Sequence, residues 1–153
     1  MARDIAMRRR TFLAVGAIAI VSPRVSAQEV HDIAPFVNTI TSGATPEEGG
    51  IDIELPQIAE NGNSVPLTVK VASPMNDLDH VTAIHVIAER NPRPAVATFH
   101  LGPWSGLARV GTRIRLAGTQ KVTVVAALSG NRFRIARRSI AVASAACIDE
   151  ASL

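Results

Sequence analysis

The sequence predicts an all-β fold, an immunoglobulin-like antiparallel β-sandwich with a short N-terminal helix and a flexible C-terminal arm. Three observations predict it. About eight short runs rich in Val, Ile and Thr are separated by turn clusters, many with apolar residues on alternate positions. The chain has 153 residues, enough for one domain with a sizeable core but not for two comfortable ones. Hydrophobic residues make up 47% and aromatics only 3%, so the core must be built from Val, Ile, Leu and Ala.

The first 27 residues read as a targeting segment. Arg8, Arg9 and Arg10 form a basic region, and Phe12 to Val21 is an apolar run of ten. That is half of what a bilayer-spanning helix needs. Val25-Ser26-Ala27 supplies a small-residue cleavage site, with Gln28 as the first mature residue. An ordinary secretory signal shares these parts. The string RRTFL, Arg9 to Leu13, in register with the apolar run, and Arg24 beside the cleavage site favour the twin-arginine type. The reading frame can start at Met1 or Met7 without changing this expectation.

Glu29 to Ile40 has apolar residues at 30, 33, 36, 37 and 40, the spacing of a short helix, with Pro35 near its middle. Ser42 to Gly50 is a loop by composition. Ile51 to Leu55 alternates apolar and acidic residues, and Val65 to Val71 alternates again. Glu60 to Ser64 reads as the turn between them, and Pro66 marks an edge strand or a strand start. Further strands are expected at Val81 to Ala88, Val96 to Leu101, Arg109 to Leu116, Val122 to Leu128, Arg132 to Ala136 and Ser139 to Val142. Ser129-Gly130-Asn131 makes a hairpin turn. The expected organisation is a signal over 1–27, one sandwich domain over 28–142 and an arm over 143–153.

Charge excludes the most obvious partner. The precursor carries 16 Lys+Arg against 13 Asp+Glu and has a sequence pI of about 10.0. Removing residues 1–27 leaves 11 basic and 12 acidic residues, a net charge of 11 − 12 = −1. The basic character belonged mostly to the signal, so nucleic-acid binding loses its support. Residues 28–89 hold ten acidic residues and one basic, Lys70, whereas residues 90–148 hold ten basic and none acidic. Either the two halves neutralise one another in the fold, or the basic half presents an anion-attracting surface.

Enzyme motifs are absent: there is no GxSxG, P-loop, GxGxxG or HExxH. His85 and His100 could face each other on neighbouring strands, but no third ligand stands at a recognisable spacing, so local hydrogen bonding is the expectation for each. Glu47/Glu48 and Asp77/Asp79 read as solvated loop pairs. Trp104, in the loop Gly102-Pro-Trp-Ser-Gly106, is equally a packing anchor or a partner contact.

Cys147 is the sole cysteine. In an exported chain it has no internal partner and must be buried, joined to another molecule, or reactive. Its place past the last strand, after the small residues Ala143 to Ala146, argues against burial. A thiol on a tail can carry a covalently bound sulfur group. Arg137 and Arg138 are candidates for attracting an anionic sulfur species, while Asp149 and Glu150 oppose it.

Several strings resemble one family. Ile51 to Val69 (IDIELPQIAENGNSVPLTV), Ser73-Pro74-Met75, Ile84 to His100 (IHVIAERNPRPAVATFH), Thr112 to Leu116 (TRIRL) and Gln120 to Leu128 are similar to SoxY, the sulfur-oxidation carrier family. The resemblance covers nearly the whole mature chain. It implies a periplasmic, non-enzymatic carrier of thiosulfate-derived groups, with no cofactor of its own and no membrane attachment in the mature form. It implies a heterodimer with a second β-sandwich subunit, SoxZ, and two further partners, a haem enzyme that couples thiosulfate and a hydrolase that releases sulfate. It places the attachment site at Cys147, on a swinging arm. The family arm ends in GGCGG or close to it, whereas this chain has Ala145-Ala146 before the cysteine and Ile148-Asp149 after it. A diverged paralogue that keeps the sandwich and acts as a non-carrier binding or scaffold subunit is the alternative.

Overall fold

The structure, a computed structural model, describes residues 29–146. The signal expected over 1–27 and Cys147 lie outside the described residues. Two sheets face one another. Helix α1 (Ala34–Thr41) leads into β1 (Glu47–Glu48), β2 (Ile51–Glu54), β3 (Ile58–Asn61), β4 (Val65–Val71), β5 (Val81–Ala88), β6 (Ala95–His100), β7 (Arg109–Ile114), β8 (Gln120–Leu128) and β9 (Arg132–Ser144). The larger sheet runs β1-β9-β8-β5-β6 with β3 also on β9, and the smaller runs β2-β4-β7. The expected sandwich is present, and its main ladders are antiparallel. Two short strands, β1 and β3, add to β9 in parallel.

The core follows the alternation. Val65, Leu67, Val69 and Val71 of β4 face Ile84, Val86, Val122, Val124 and Ala126 of the larger sheet. Each such side chain contributes about 1.5–3 kcal/mol on leaving water. A second cluster on the outer face of the larger sheet, Ile87, Val125 and Ile135, receives Ile33, Phe36, Val37 and Ile40 from the helical lead.

Local chemistry explains where the elements depart from expectation. The helix starts at Ala34, not Glu29, so Pro35 lies in its first turn, where a missing N–H costs no helical bond. The Asp32 carboxylate accepts the Ala34 N–H at 3.0 Å, and Ser42 ends the helix in the left-handed region at φ 52°. Pro66 does not put β4 on an edge: β4 is the middle strand of its sheet. Proline is tolerated because β2 pairs with β4 only from Thr68 onward, leaving position 66 with one neighbour. Ile58–Asn61 is a strand rather than the beginning of a turn, and Glu47–Glu48 a strand rather than loop.

Residues Arg132 to Ser144 form one strand of thirteen residues, not two strands followed by an arm from residue 143. The polar run Arg137-Arg138-Ser139 interrupts the hydrophobic pattern but not the ladder, which continues from Leu128↔Arg132 to Gln120↔Ile140. On the other side of β9, β1 pairs at Arg134 and Ile135 and β3 pairs from Ala141 onward. The polar run falls in the gap between them.

The NPRP string is also explained by packing. Asn91 is buried: its Nδ2 donates to the Arg115 carbonyl at 2.8 Å, and its Oδ1 accepts the Ala117 N–H at 3.0 Å and Gln120 Nε2 at 3.1 Å. Gln120 Oε1 in turn accepts the Arg90 N–H at 2.8 Å. Asn91→Ala leaves the buried Ala117 N–H and the Arg115 carbonyl without this partner, while Gln120 Nε2 keeps the Gly118 carbonyl at 3.2 Å, and should cost about 1–3 kcal/mol. Urea unfolding will read this as a lower midpoint at an unchanged m-value. Asn91→Asp should recover only part, because a carboxylate cannot donate to the Arg115 carbonyl.

Candidate functional site

The sequence directs attention to the C-terminal end, and three backbone segments meet there. Asn61 ends β3, and the next residue, Gly62, donates its N–H to the Ser144 carbonyl at 2.8 Å. The Gly62 carbonyl accepts the Leu116 N–H at 2.9 Å, and the Leu116 carbonyl accepts the Ala146 N–H at 3.0 Å. Ala146 is 5% exposed. The chain is therefore held to the body through the residue before Cys147, three residues past the expected start of the arm at 143.

Only glycine fits at position 62. A Cβ there would lie 2.3 Å from the Leu116 carbonyl oxygen and 2.9 Å from the Ala146 nitrogen. Both neighbours are backbone and cannot step aside cheaply. The turn leading away is fixed by Asn61, whose Oδ1 accepts the Asn63 N–H at 2.8 Å. Thr119 closes the other side, with its Oγ1 accepting the Val142 N–H at 2.9 Å.

Arg137 and Arg138 do not stand at this end. They lie seven and six residues before Ser144 on the same strand, about 23 and 20 Å away at 3.3 Å per residue. Being consecutive on a strand, they also point to opposite faces. Arg137 Nη1 is paired with Glu48 Oε1 at 2.5 Å, and Arg138 is exposed. The exposed cation that does belong to this end is Arg115, adjacent in sequence to Leu116. Its place there has no sequence signal, because the Gly62 contact with Leu116 is long-range.

The remaining candidates separate. His85 and His100 do fall on paired strands, with Ala83 opposite His100 and His85 opposite Thr98. His85 Nδ1 is 3.1 Å from Thr98 Oγ1. Among the described residues no group of three or more His, Cys, Asp or Glu side chains could hold a metal ion. Glu48 and Asp79, read as solvated, make ion pairs with Arg137 and Arg132, both at 2.5 Å. Trp104 is not a packing anchor, since 90% of it is exposed.

Two measurements check this geometry. Gly62→Ala should destabilise the domain by about 1–3 kcal/mol through forced overpacking. Hydrogen exchange should show the Ala146 amide losing protection before the β5 amides do. For His85, burial first and the charge of His100 second hold the imidazole pKa below its ordinary value near 6.5. Protonation is thus harder in the folded than in the unfolded state, so the unfolded chain binds more protons between the two pKa values. Stability should be full above about pH 6.5 and decline as pH falls through 6.5 toward the lower folded-state value. Thermal unfolding from pH 8 to pH 5 checks this, with His85→Gln giving the shallower profile.

Comparison with known proteins agrees with this geometry. The family model described as sulfur oxidation protein SoxY matches residues 37–147. No curated protein sequence matches the chain. Among solved structures, the sulfur carrier protein SoxY from Chlorobium limicola f thiosulfatophilum is 29% identical, with a TM-score of 0.60, over 71% of this chain and 89% of that one. A superoxide reductase (neelaredoxin) from Ignicoccus hospitalis is 16% identical with a TM-score of 0.55, over 61% of this chain and 80% of that one. The superoxide reductase from Nanoarchaeum equitans is 11% identical with a TM-score of 0.53, over 63% of this chain and 100% of that one. At that identity the two reductases share the sandwich alone. With the family match spanning most of the described domain, the chain belongs to the SoxY family of sulfur-oxidation proteins.

Proposed function

We propose that this protein is a periplasmic sulfur carrier, exported by the twin-arginine route, whose Cys147 covalently holds thiosulfate-derived groups while partner enzymes act on them. One observation carries the reading: the SoxY family match runs to residue 147, the only cysteine of the chain. The backbone clasp that ends at Ala146 supports it, because it presents whatever follows from a fixed point on the body. The chemistry needs only a thiolate. Its sulfur and the outer sulfur of thiosulfate form an S–S bond with loss of two electrons, which the haem enzyme accepts. Hydrolysis of the terminal sulfonate then releases sulfate and leaves a persulfide on the cysteine. The protein contributes position, not catalysis. A SoxZ-like subunit completes the heterodimer.

The tail favours a second reading on one specific ground. Ala145-Ala146 and Ile148-Asp149 stand where the family arm is glycine-rich. β-Branched Ile148 is stiffer than glycine at a position that would enter a partner's channel. A diverged subunit that binds partners without carrying cargo would have such a tail.

Mass spectrometry after incubation of the mature protein with thiosulfate and the coupling enzyme decides between them. The carrier gains an adduct on Cys147 that a thiol reductant removes, and Cys147→Ser gains none. An unmodified wild-type protein sinks the carrier reading, and a Cys147→Ala strain that still oxidises thiosulfate establishes the second.

A further inference from the structure

The side of the sandwich farthest from β9 is open. In the core β2 contacts β9 and β8, so β4 and β7 are displaced toward β5 and β6. The end strands β6 and β7 therefore lie on one side, each with an unpaired edge among the described residues. Phe99, Leu101 and Val110 pack on the core there but remain partly exposed. The loop joining the two strands exposes two large apolar side chains. Trp104 is 90% exposed and Leu107 73% exposed.

This loop is built to hold its shape. Ser105 Oγ accepts the Gly102 N–H at 3.1 Å, and the Ser105 N–H donates to the Gly102 carbonyl at 3.0 Å. The Leu107 and Arg109 amides donate to the Ser105 and Leu107 carbonyls at 2.8 and 2.9 Å. Leu107 also walls a groove of about 500 Å³ whose other apolar walls are Ile51, Val71 and Ala108. Arg109 lines the same groove, and Arg113 follows it on the outer face of β7. Neither arginine takes part in the ion pairs found among the described residues, although Arg113 Nε and Nη2 donate to the Ser64 Oγ and the Ser64 carbonyl at 2.6 and 3.0 Å.

We propose that the Trp104–Leu107 loop, the adjoining groove and the β7 edge form the docking surface for a partner protein that offers an apolar side chain to the groove and carboxylates to Arg109 and Arg113. An indole held outward beside a groove and an arginine is the composition of interface hot spots. A second copy of this chain is the wrong occupant. A two-fold contact would set the patch against itself, and with Arg109, Arg113 and Lys70 offset only by Asp52 and Glu54 each side would bring net positive charge. Nucleic acid is also disfavoured, since Asp52 lines the groove and Glu54 neutralises Lys70 beside it. The inference rests on the preceding reading for one point, that the partner is the second β-sandwich subunit of the carrier.

The test uses the mature protein and the purified second subunit, with affinity measured by calorimetry at low and high salt. Trp104→Ala with Leu107→Ser should weaken binding at least tenfold. Arg109→Glu should weaken it at low salt and reduce the salt dependence. Leu78→Ser, a substitution at the 92% exposed residue in the β4–β5 loop, should bind as wild type, and far-UV circular dichroism confirms that each variant is folded. If wild type and the Trp104 variant bind equally, the surface is elsewhere and the carrier reading stands. If the second subunit does not bind while Cys147 gains its adduct, this inference falls alone. If no adduct forms but binding depends on Trp104, the carrier reading falls and the surface stands. Sedimentation that shows a dimer of this chain abolished by Trp104→Ala, or retention of single-stranded DNA that depends on Trp104, overturns the assignment.

Discussion

The meeting of Gly62, Leu116 and Ala146 is the constraint on which the C-terminal half depends. Three backbone segments that are distant in sequence come close enough for two hydrogen bonds to pass through one residue, Leu116. The approach is possible because position 62 has no Cβ. β3 can then lie parallel on β9, which would otherwise end as an unpaired edge after Ile140. The conspicuous ENGN string is thus a device for fastening the chain's end. Asn61 turns the backbone, Gly62 gives the clearance, and Asn91 fixes the opposite loop through Arg115 and Ala117.

The segregated charge of the sequence resolves into two populations. Arg132 and Arg137 reach back to Asp79 and Glu48 of the acidic half. Each pair is solvent-exposed and contributes at most about 1 kcal/mol, so their importance is positional: they pin β9 to the β1 strand and to the loop before β5. Arg109, Arg113 and Arg115 stay outside this set. Neutralisation and an anion-attracting surface were posed as alternatives. Among the described residues, ion pairs form at Arg132 and Arg137 of β9, whereas Arg109 and Arg113 of β7 make none.

What could be read from the sequence was local, and what could not was long-range. β2, β4 and β5 match the expected spans to within a residue, because β2 and β4 alternate over their own lengths and β5 is a nearly continuous apolar run. β3 was missed because Ile58–Asn61 has no pattern of its own and is a strand only through β9. β9 was cut in two because Arg137-Arg138-Ser139 looks like a break, although β8 holds the register through it. Cys147 was reached by elimination, which needs no structure. Arg137 and Arg138 were linked to it by closeness in sequence, and in a strand closeness in sequence is distance in space. The role of Asn91 has no local signal, since its partners are Arg115, Ala117 and Gln120, all more than twenty residues away.

The sandwich itself does not specify chemistry. It is shared with superoxide reductases at 16% and 11% identity, yet among the described residues no group of three or more His, Cys, Asp or Glu side chains could hold a metal ion. Function must then be sought at the ends of the strands. β7 joins the two places that matter: Leu107 precedes its first residue and Leu116 follows its last. Nine residues separate them, about 30 Å along an extended chain. A partner docked on the Trp104 loop and reaching along β7 to Arg113 would stop three residues, about 10 Å, short of Leu116. Docking on the Trp104 side of β7 and access to the residue after Ala146 are then compatible.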